Sequence, residues 1–221
     1  MSDYPEFSDQ MQRPRYTGIP TFMRTRYTED LAGVDIGLVG VPFDGGVTNR
    51  TGARHGPREI RNQSSLMRRI NQATSVSPYE LARVADLGDA WIQSPFHLES
   101  SLDEVQAFFA NLHAAGVVPL SAGGDHSVTL PIMRAIAKDR PVGMVHFDAH
   151  CDTGDDYLGS RFHHARRFDV RWKKGCLIPN VPSRLAFAVA STNWIIGSSA
   201  TTAECAWCTW RSSTSSASRP S

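Results

Sequence analysis

Two short motifs hold most of the side chains that could do chemistry. One is Gly-Gly-Asp-His-Ser at residues 123–127, and the other is Asp-Ala-His-Cys-Asp at residues 148–152. An extended backbone would point the alternating ligands of the second motif to one side, namely Asp148, His150 and Asp152. The glycine pair would bring His126 beside them. Carboxylates mixed with imidazole favour Mn²⁺, or Fe²⁺, Co²⁺ or Zn²⁺, over a thiolate site, and a bridging carboxylate would suit a two-metal hydrolase.

Each motif follows a short apolar run that is typical of a buried strand, at 117–120 and at 142–147. The other predicted elements are strands at 34–41 and 81–87 and helices at 56–69, 101–115 and 128–138. Alternating helices and apolar strands predict an α/β domain, a three-layer α/β/α arrangement with a mostly parallel sheet. Ligands of such sheets bind beyond the carboxyl ends of the strands. We therefore expect both motifs to meet at that edge, on neighbouring strands.

The composition excludes several classes of protein. The 221 residues are 41% hydrophobic and 20% charged, with a formal net charge of +1. A charge near zero gives no electrostatic surface for nucleic acid or for an anionic membrane. The sequence has no apolar run of about 18 residues, the length that a transmembrane helix needs. Residues 1–15 do not resemble a secretory signal, so we expect reduced cysteines and a cytoplasmic protein.

The charge balance changes sharply after residue 164. Residues 1–164 contain 20 Asp and Glu against 15 Lys and Arg, whereas residues 165–221 contain 2 against 8. The second segment also holds four of the five tryptophans and three of the four cysteines. Its Ser-rich end has neither helical nor strand periodicity. We expect residues 1–164 to belong to the α/β domain and residues 165–221 to be an aberrant, disordered tail.

The two motifs together resemble the ureohydrolase family of arginases, agmatinases, guanidinobutyrases and guanidinopropionases. Further similarity lies at 18–24, at Gly-Val-Pro-Phe-Asp-Gly-Gly (40–46), at 49–61 and at Val-Ala-Asp-Leu-Gly-Asp (84–89). The resemblance covers residues 12–164 almost without interruption. It is nearest to the agmatinase branch, and within that branch to guanidinopropionase or guanidinobutyrase. It implies an arginase-like fold.

The resemblance also implies two Mn²⁺ ions and hydrolysis of a linear guanidino compound to urea and an amine. The substrates it implies are 3-guanidinopropionate, 4-guanidinobutyrate or agmatine, and the family assembles as trimers or hexamers. The family's metal ligands correspond here to His126, Asp148, His150 and Asp152. Asp152 also corresponds to the residue that protonates the leaving amine. His164 corresponds to a proton-shuttling histidine, although Ala165 follows it where the family has glycine. Tyr157, in the loop after the ligands, is the candidate for contact with the substrate tail.

The chain departs from the family in its last quarter. The family's later Asp-x-Asp motif supplies two further metal ligands, and no aspartate follows Asp169 here. Islands of similarity persist at 175–180 and 191–194, between stretches rich in Arg, Ser, Trp and Cys. This mixture indicates a frame-shifted translation from about residue 165, with a premature stop. With four of six ligands, the truncated chain is expected to bind metal poorly and to have little or no activity.

Two other classes of function remain open. One is a catalytically dead ureohydrolase-like subunit that acts as an interaction or regulatory protein. The other is a related two-motif metal hydrolase such as a deacetylase, which fits less well because the similarity extends from Gly18 to Asp89. Release of urea from guanidino compounds in the presence of Mn²⁺ separates the amidinohydrolase from the catalytically dead subunit.

Overall fold

The computed structural model describes residues 14–140, 142, 145–147 and 186–188. These belong to two compact units, which are described separately. The described part of the first unit is residues 14–136, and that of the second is residues 137–140, 142, 145–147 and 186–188. No helix among these residues is both long and apolar enough to cross a membrane.

The first unit contains a four-stranded parallel sheet in the order β1-β3-β2-β4. Its strands are β1 (Arg26–Tyr27), β2 (Ile36–Val41), β3 (Val84–Asp89) and β4 (Val118–Gly123). The central strand β2 is buried along almost its whole length, as its unbroken apolar sequence predicts. The predicted parallel α/β architecture is therefore confirmed.

The described residues of this unit form four α-helices: α1 (Gly56–Ser64), α2 (Pro78–Leu81), α3 (Leu98–Ala114) and α4 (Thr129–Ile136). Short 3-10 turns lie at Phe22–Arg24, Ala53–His55 and His126–Val128. Helix α3 buries one apolar stripe with helical spacing, made of Leu102, Val105, Phe109 and Leu112. The stripe packs in one core with residues of the sheet and of α4, including Val39, Val41, Leu87 and Ile132.

Several predicted boundaries are wrong, and three of them have a clear physical reason or consequence. Helix α1 ends at Ser64 rather than near 69. The strand predicted from residue 81 starts too early, because Leu81 is the last residue of helix α2. That helix begins at Pro78, whose fixed backbone angle suits a first helical residue. Strand β3 then starts at Val84, opposite Ile36.

The third error concerns the start of α3, predicted at residue 101 because Ser-Leu-Asp-Glu at 101–104 has the form of a capping box. The helix begins at Leu98, so Ser101 lies inside it and its hydroxyl donates to the carbonyl of Ser94 at 2.7 Å. Glu104 accepts the backbone N–H groups of Gln93 and Ser94, in the segment before the helix. The same residue types therefore fasten the preceding loop to the helix. The predicted helix end is confirmed, since Gly116 adopts a φ of 74°.

In the second unit, β5 (Val145–Phe147) pairs in parallel with β6 (Ala186–Ala188). Among the described strands, β4 pairs with β2 alone and forms an edge of its sheet. The two motif-bearing strands, β4 and β5, lie in different units, so their expected adjacency stays a prediction. Strand order in a parallel sheet depends on the crossover connections, which sequence order does not fix.

Candidate active site

The turn that carries His126 follows β4 directly and is shaped by a glycine. Gly124 has a φ of 50°, and a Cβ atom there would collide with the carbonyl oxygens of Val41 and Phe43 at the end of β2. The backbone N–H of Asp125 donates to the carbonyl of Phe43 at 2.7 Å. The motif's second glycine therefore lets the turn after β4 lie directly against the loop after β2. His126 then begins the 3-10 turn that leads into α4, and its Nε2 atom is buried.

Asp125 is a buried carboxylate that joins two loops. One oxygen accepts the N–H of Ser127 at 2.5 Å and so caps the 3-10 turn. The other oxygen accepts the N–H of Gly46 at 2.7 Å, from the loop after β2. Asp125 was not among the predicted site residues, although it lies within the motif that predicted His126. The sequence feature that could have identified Asp125 is its position just before a predicted helix, where an aspartate commonly acts as the N-cap.

The loop after β2 is closed by a second buried carboxylate, Asp44. It accepts the N–H of Gly52 at 2.7 Å and the Nε–H of Arg54 at 2.5 Å, and it forms an ion pair with the Arg54 guanidinium. The hydrogen bond from Arg54, with the backbone N–H groups, lowers the pKa of Asp44 to about 2, although burial acts in the opposite direction. Arg54 thus has a structural role, while Arg50, on the same loop, is exposed.

A third buried carboxylate, Asp86, lies in the middle of β3. It accepts the backbone N–H groups of Phe22 and Gly88 at 2.8 and 2.9 Å, and it forms a two-pronged ion pair with Arg61 of α1. The Arg61 guanidinium also lies over the Phe22 ring, 4.1 Å from its centroid. Arg61 and Asp89 line an open cavity of about 500 Å³, which includes none of the predicted site residues. This cluster fixes α1 to the sheet.

His126 is the one predicted site residue within the described part of the chain. The other five predicted residues lie outside the described residues, namely Asp148, His150, Asp152, Tyr157 and His164. Strand β5 ends at Phe147, so Asp148 is the next residue in the chain. Within the described residues, no group of three or more His, Cys, Asp or Glu side chains is arranged to hold a metal ion. In the donor set as a whole, imidazole and carboxylate suit Mn²⁺ by their chemistry.

Comparisons with known proteins agree with this architecture. The family model described as the arginase family matches residues 34–191. A guanidinopropionase from Pseudomonas aeruginosa is 52% identical over 179 residues, which cover 80% of this chain and 56% of that protein. A human mitochondrial guanidino acid hydrolase is 41% identical, over 74% of this chain and 45% of that protein.

Solved structures show the same relation. The proclavaminate amidino hydrolase of Streptomyces clavuligerus superposes with a TM-score of 0.70 and 34% identity, covering 79% of this chain and 57% of that chain. This chain thus spans about half the length of the curated relatives that it matches. The match of the family model over most of the chain, and the identity to several curated relatives, confirm the resemblance seen in the two motifs. The chain belongs to the arginase family, also called the ureohydrolases.

Proposed function

We propose that this chain carries the metal-binding portion of a binuclear manganese amidinohydrolase that cleaves a linear guanidino compound to urea and an amine. The observation that carries the proposal is the construction of the His126 turn, with a left-handed glycine and a buried aspartate that hold an imidazole at the carboxyl end of β4. Ligand sites of parallel sheets lie at that edge. The remaining proposed ligands are Asp148, His150 and Asp152.

Mn²⁺ bound at these residues would lower the pKa of a coordinated water and so supply a nucleophile near neutral pH. The protein's own groups must then handle the protons. We propose that Asp152 gives a proton to the departing nitrogen, because an uncharged amine leaves far more readily than its anion. His164 would carry protons between this site and solvent, and Tyr157 would contact the tail of the substrate.

For the substrate we propose an ω-guanidino compound: 3-guanidinopropionate, 4-guanidinobutyrate or agmatine. The guanidinopropionase and guanidino acid hydrolase similarities support this class. We propose a homo-oligomer, either a trimer or a hexamer, because the family resemblance implies one. We propose a cytoplasmic location because the cysteines are expected to be reduced.

The 221 residues supply four of the six metal ligands that the family resemblance implies. Two missing carboxylates would leave the charge of two Mn²⁺ ions poorly balanced, since hard cations rely on carboxylate oxygens. We propose that these residues alone bind Mn²⁺ weakly and release urea slowly or not at all. We also propose that the α/β domain ends at residue 164 and that residues 165–221 are a frame-shifted tail.

The test is Mn²⁺ titration of the chain by calorimetry, with urea release measured on the three guanidino substrates and on arginine. Weak Mn²⁺ binding by the wild-type chain that is lost in His126→Asn is the expected result. His97→Asn is the matched control, because His97 is an exposed histidine in the segment before α3. Absence of Mn²⁺ binding, or equal binding by wild type and His126→Asn, would refute the proposed site. Vigorous urea release would refute the proposed loss of activity.

A further inference from the structure

We infer that Asp125 is the positioning residue of this site: it fixes the His126 turn against the loop after β2 and thereby sets the affinity for Mn²⁺. The inference rests on the proposed function, because it concerns the same site. Asp125 is not among the proposed ligands, and both of its carboxylate oxygens accept backbone N–H groups.

The two carboxylate oxygens of Asp125 do separate work. The bond to Ser127 closes the first turn of the helical segment that His126 begins, which any good N-cap residue would do. The bond to Gly46 crosses 79 residues of sequence and joins the turn to another loop. Since His126 is the next residue after Asp125, its backbone cannot shift without disturbing one of these two bonds.

Glycine packing gives independent evidence that the two loops are fixed at contact distance. A Cβ atom on Gly46 would lie 2.9 Å from the Cβ of Ser127 and 3.1 Å from Oδ2 of Asp125. A Cβ atom on Gly56, where the β2 loop enters α1, would lie 2.9 Å from the carbonyl oxygen of Gly123. The loop therefore meets the His126 turn at two places, with no room for a side chain at either.

Asp125→Asn separates the two tasks of the carboxylate. An asparagine is an equally good helix cap, so its oxygen can still accept the Ser127 N–H. Its amide nitrogen is a donor and would then face the N–H of Gly46, so the cross-loop bond is lost. Asp125→Glu keeps the charge but moves the carboxylate by one methylene, which separates positioning from simple attraction of a cation.

The experiment measures Mn²⁺ affinity by calorimetry and amide hydrogen exchange of the metal-free chain by NMR. Partners that orient a metal ligand typically change affinity by about 10–100-fold, so we expect Asp125→Asn and Asp125→Glu each to weaken Mn²⁺ binding about tenfold. The Gly46 amide should exchange at least tenfold faster in Asp125→Asn, whereas the Ser127 amide should keep its protection. Asp86→Asn is the matched control: a similarly buried carboxylate that accepts two backbone N–H groups elsewhere. It should lower the melting temperature yet leave Mn²⁺ affinity within twofold.

Unchanged Mn²⁺ affinity in Asp125→Asn, or an equal loss in Asp86→Asn, would overturn the positioning role, as would normal affinity in Asp125→Glu. Unchanged exchange of the Gly46 amide would overturn the cross-loop bond whether or not metal binds. A wild-type chain that binds no Mn²⁺, but whose Gly46 amide responds to Asp125→Asn, would refute the proposed metal site and leave the connection between the loops established.

Discussion

Replacement of Gly124 by alanine tests whether the His126 turn depends on close backbone contact. Two costs add at this position. A Cβ atom at a φ of 50° costs about 1–2 kcal/mol, because it crowds the neighbouring carbonyl. The same atom would also overlap the carbonyl oxygens of Val41 and Phe43, which belong to the backbone and cannot rotate away.

Overpacking of this kind typically costs about 1–3 kcal/mol. Gly124→Ala should therefore lower the free energy of unfolding by about 2–5 kcal/mol, a large part of the about 5–15 kcal/mol of an ordinary domain. Gly116→Ala is the matched control, because Gly116 has a similar φ of 74° but no atom within 4 Å of the added Cβ. It should cost about 1–2 kcal/mol, from the backbone angle alone.

Urea unfolding followed by circular dichroism gives both values by linear extrapolation. Gly124→Ala should lower the free energy of unfolding by at least about 1 kcal/mol more than Gly116→Ala does. A difference under about 0.5 kcal/mol would mean that the β2 loop yields easily, and that its contact with the His126 turn does not hold the turn in place. A second readout follows from the proposed site: Gly124→Ala should also weaken Mn²⁺ binding more than Gly116→Ala does.

Three further predictions follow from the described residues. Because the pKa of Asp44 falls from 3.8 to about 2 on folding, its stabilising contribution is complete above about pH 4 and is lost as the pH falls through 2. After allowance for the half-exposed Arg54, urea unfolding should show a loss of about 1–2 kcal/mol over this interval; an equal loss in Asp44→Asn would contradict the assignment. Phe109→Ala, at a fully buried site, should cost about 3–5 kcal/mol in thermal unfolding, and a cost under about 1 kcal/mol would contradict the core assignment. Among the described strands β4 is an edge strand, and its Leu120 and Val118 are 53% and 62% exposed. Leu120→Lys should therefore reduce self-association in light scattering with little change in melting temperature; unchanged association would exclude this face.

The sequence predicts the elements whose signal is local and apolar. Strand β2 and the apolar stripe of α3 were found because burial requires an unbroken or a helical apolar pattern. Strand β1 was missed because both of its residues are exposed and only its backbone pairing with β3 makes it a strand. The capping box at Ser101 gave the wrong start for α3, because serine and glutamate side chains can also hydrogen-bond the backbone of the loop before a helix. The order of the strands in the sheet could not be predicted, because the sequence does not specify the geometry of the crossover connections.

The sequence proposes ligands for the candidate site, but it does not show which groups hold the His126 turn in place. Asp44 and Asp125 lie inside motifs that carry the family resemblance, and both accept backbone N–H groups rather than face solvent. Burying a carboxylate is costly unless such donors surround it, and bonds from N–H groups to a charged oxygen are stronger than bonds to a neutral one. A motif aspartate is therefore ambiguous until its partners are known.

Seen together, the three buried carboxylates explain how loops stay ordered at the carboxyl edge of this sheet. Asp44 closes the loop after β2, Asp86 joins β3 to α1 and to the segment before β1, and Asp125 ties the turn after β4 to the β2 loop. The Asp86 and Asp125 connections run between different elements, so a change at either carboxylate should loosen two segments, whereas a change at Asp44 should loosen the β2 loop alone. The turn that presents His126 is fixed by the Asp125 bonds to Ser127 and Gly46 before any metal binds.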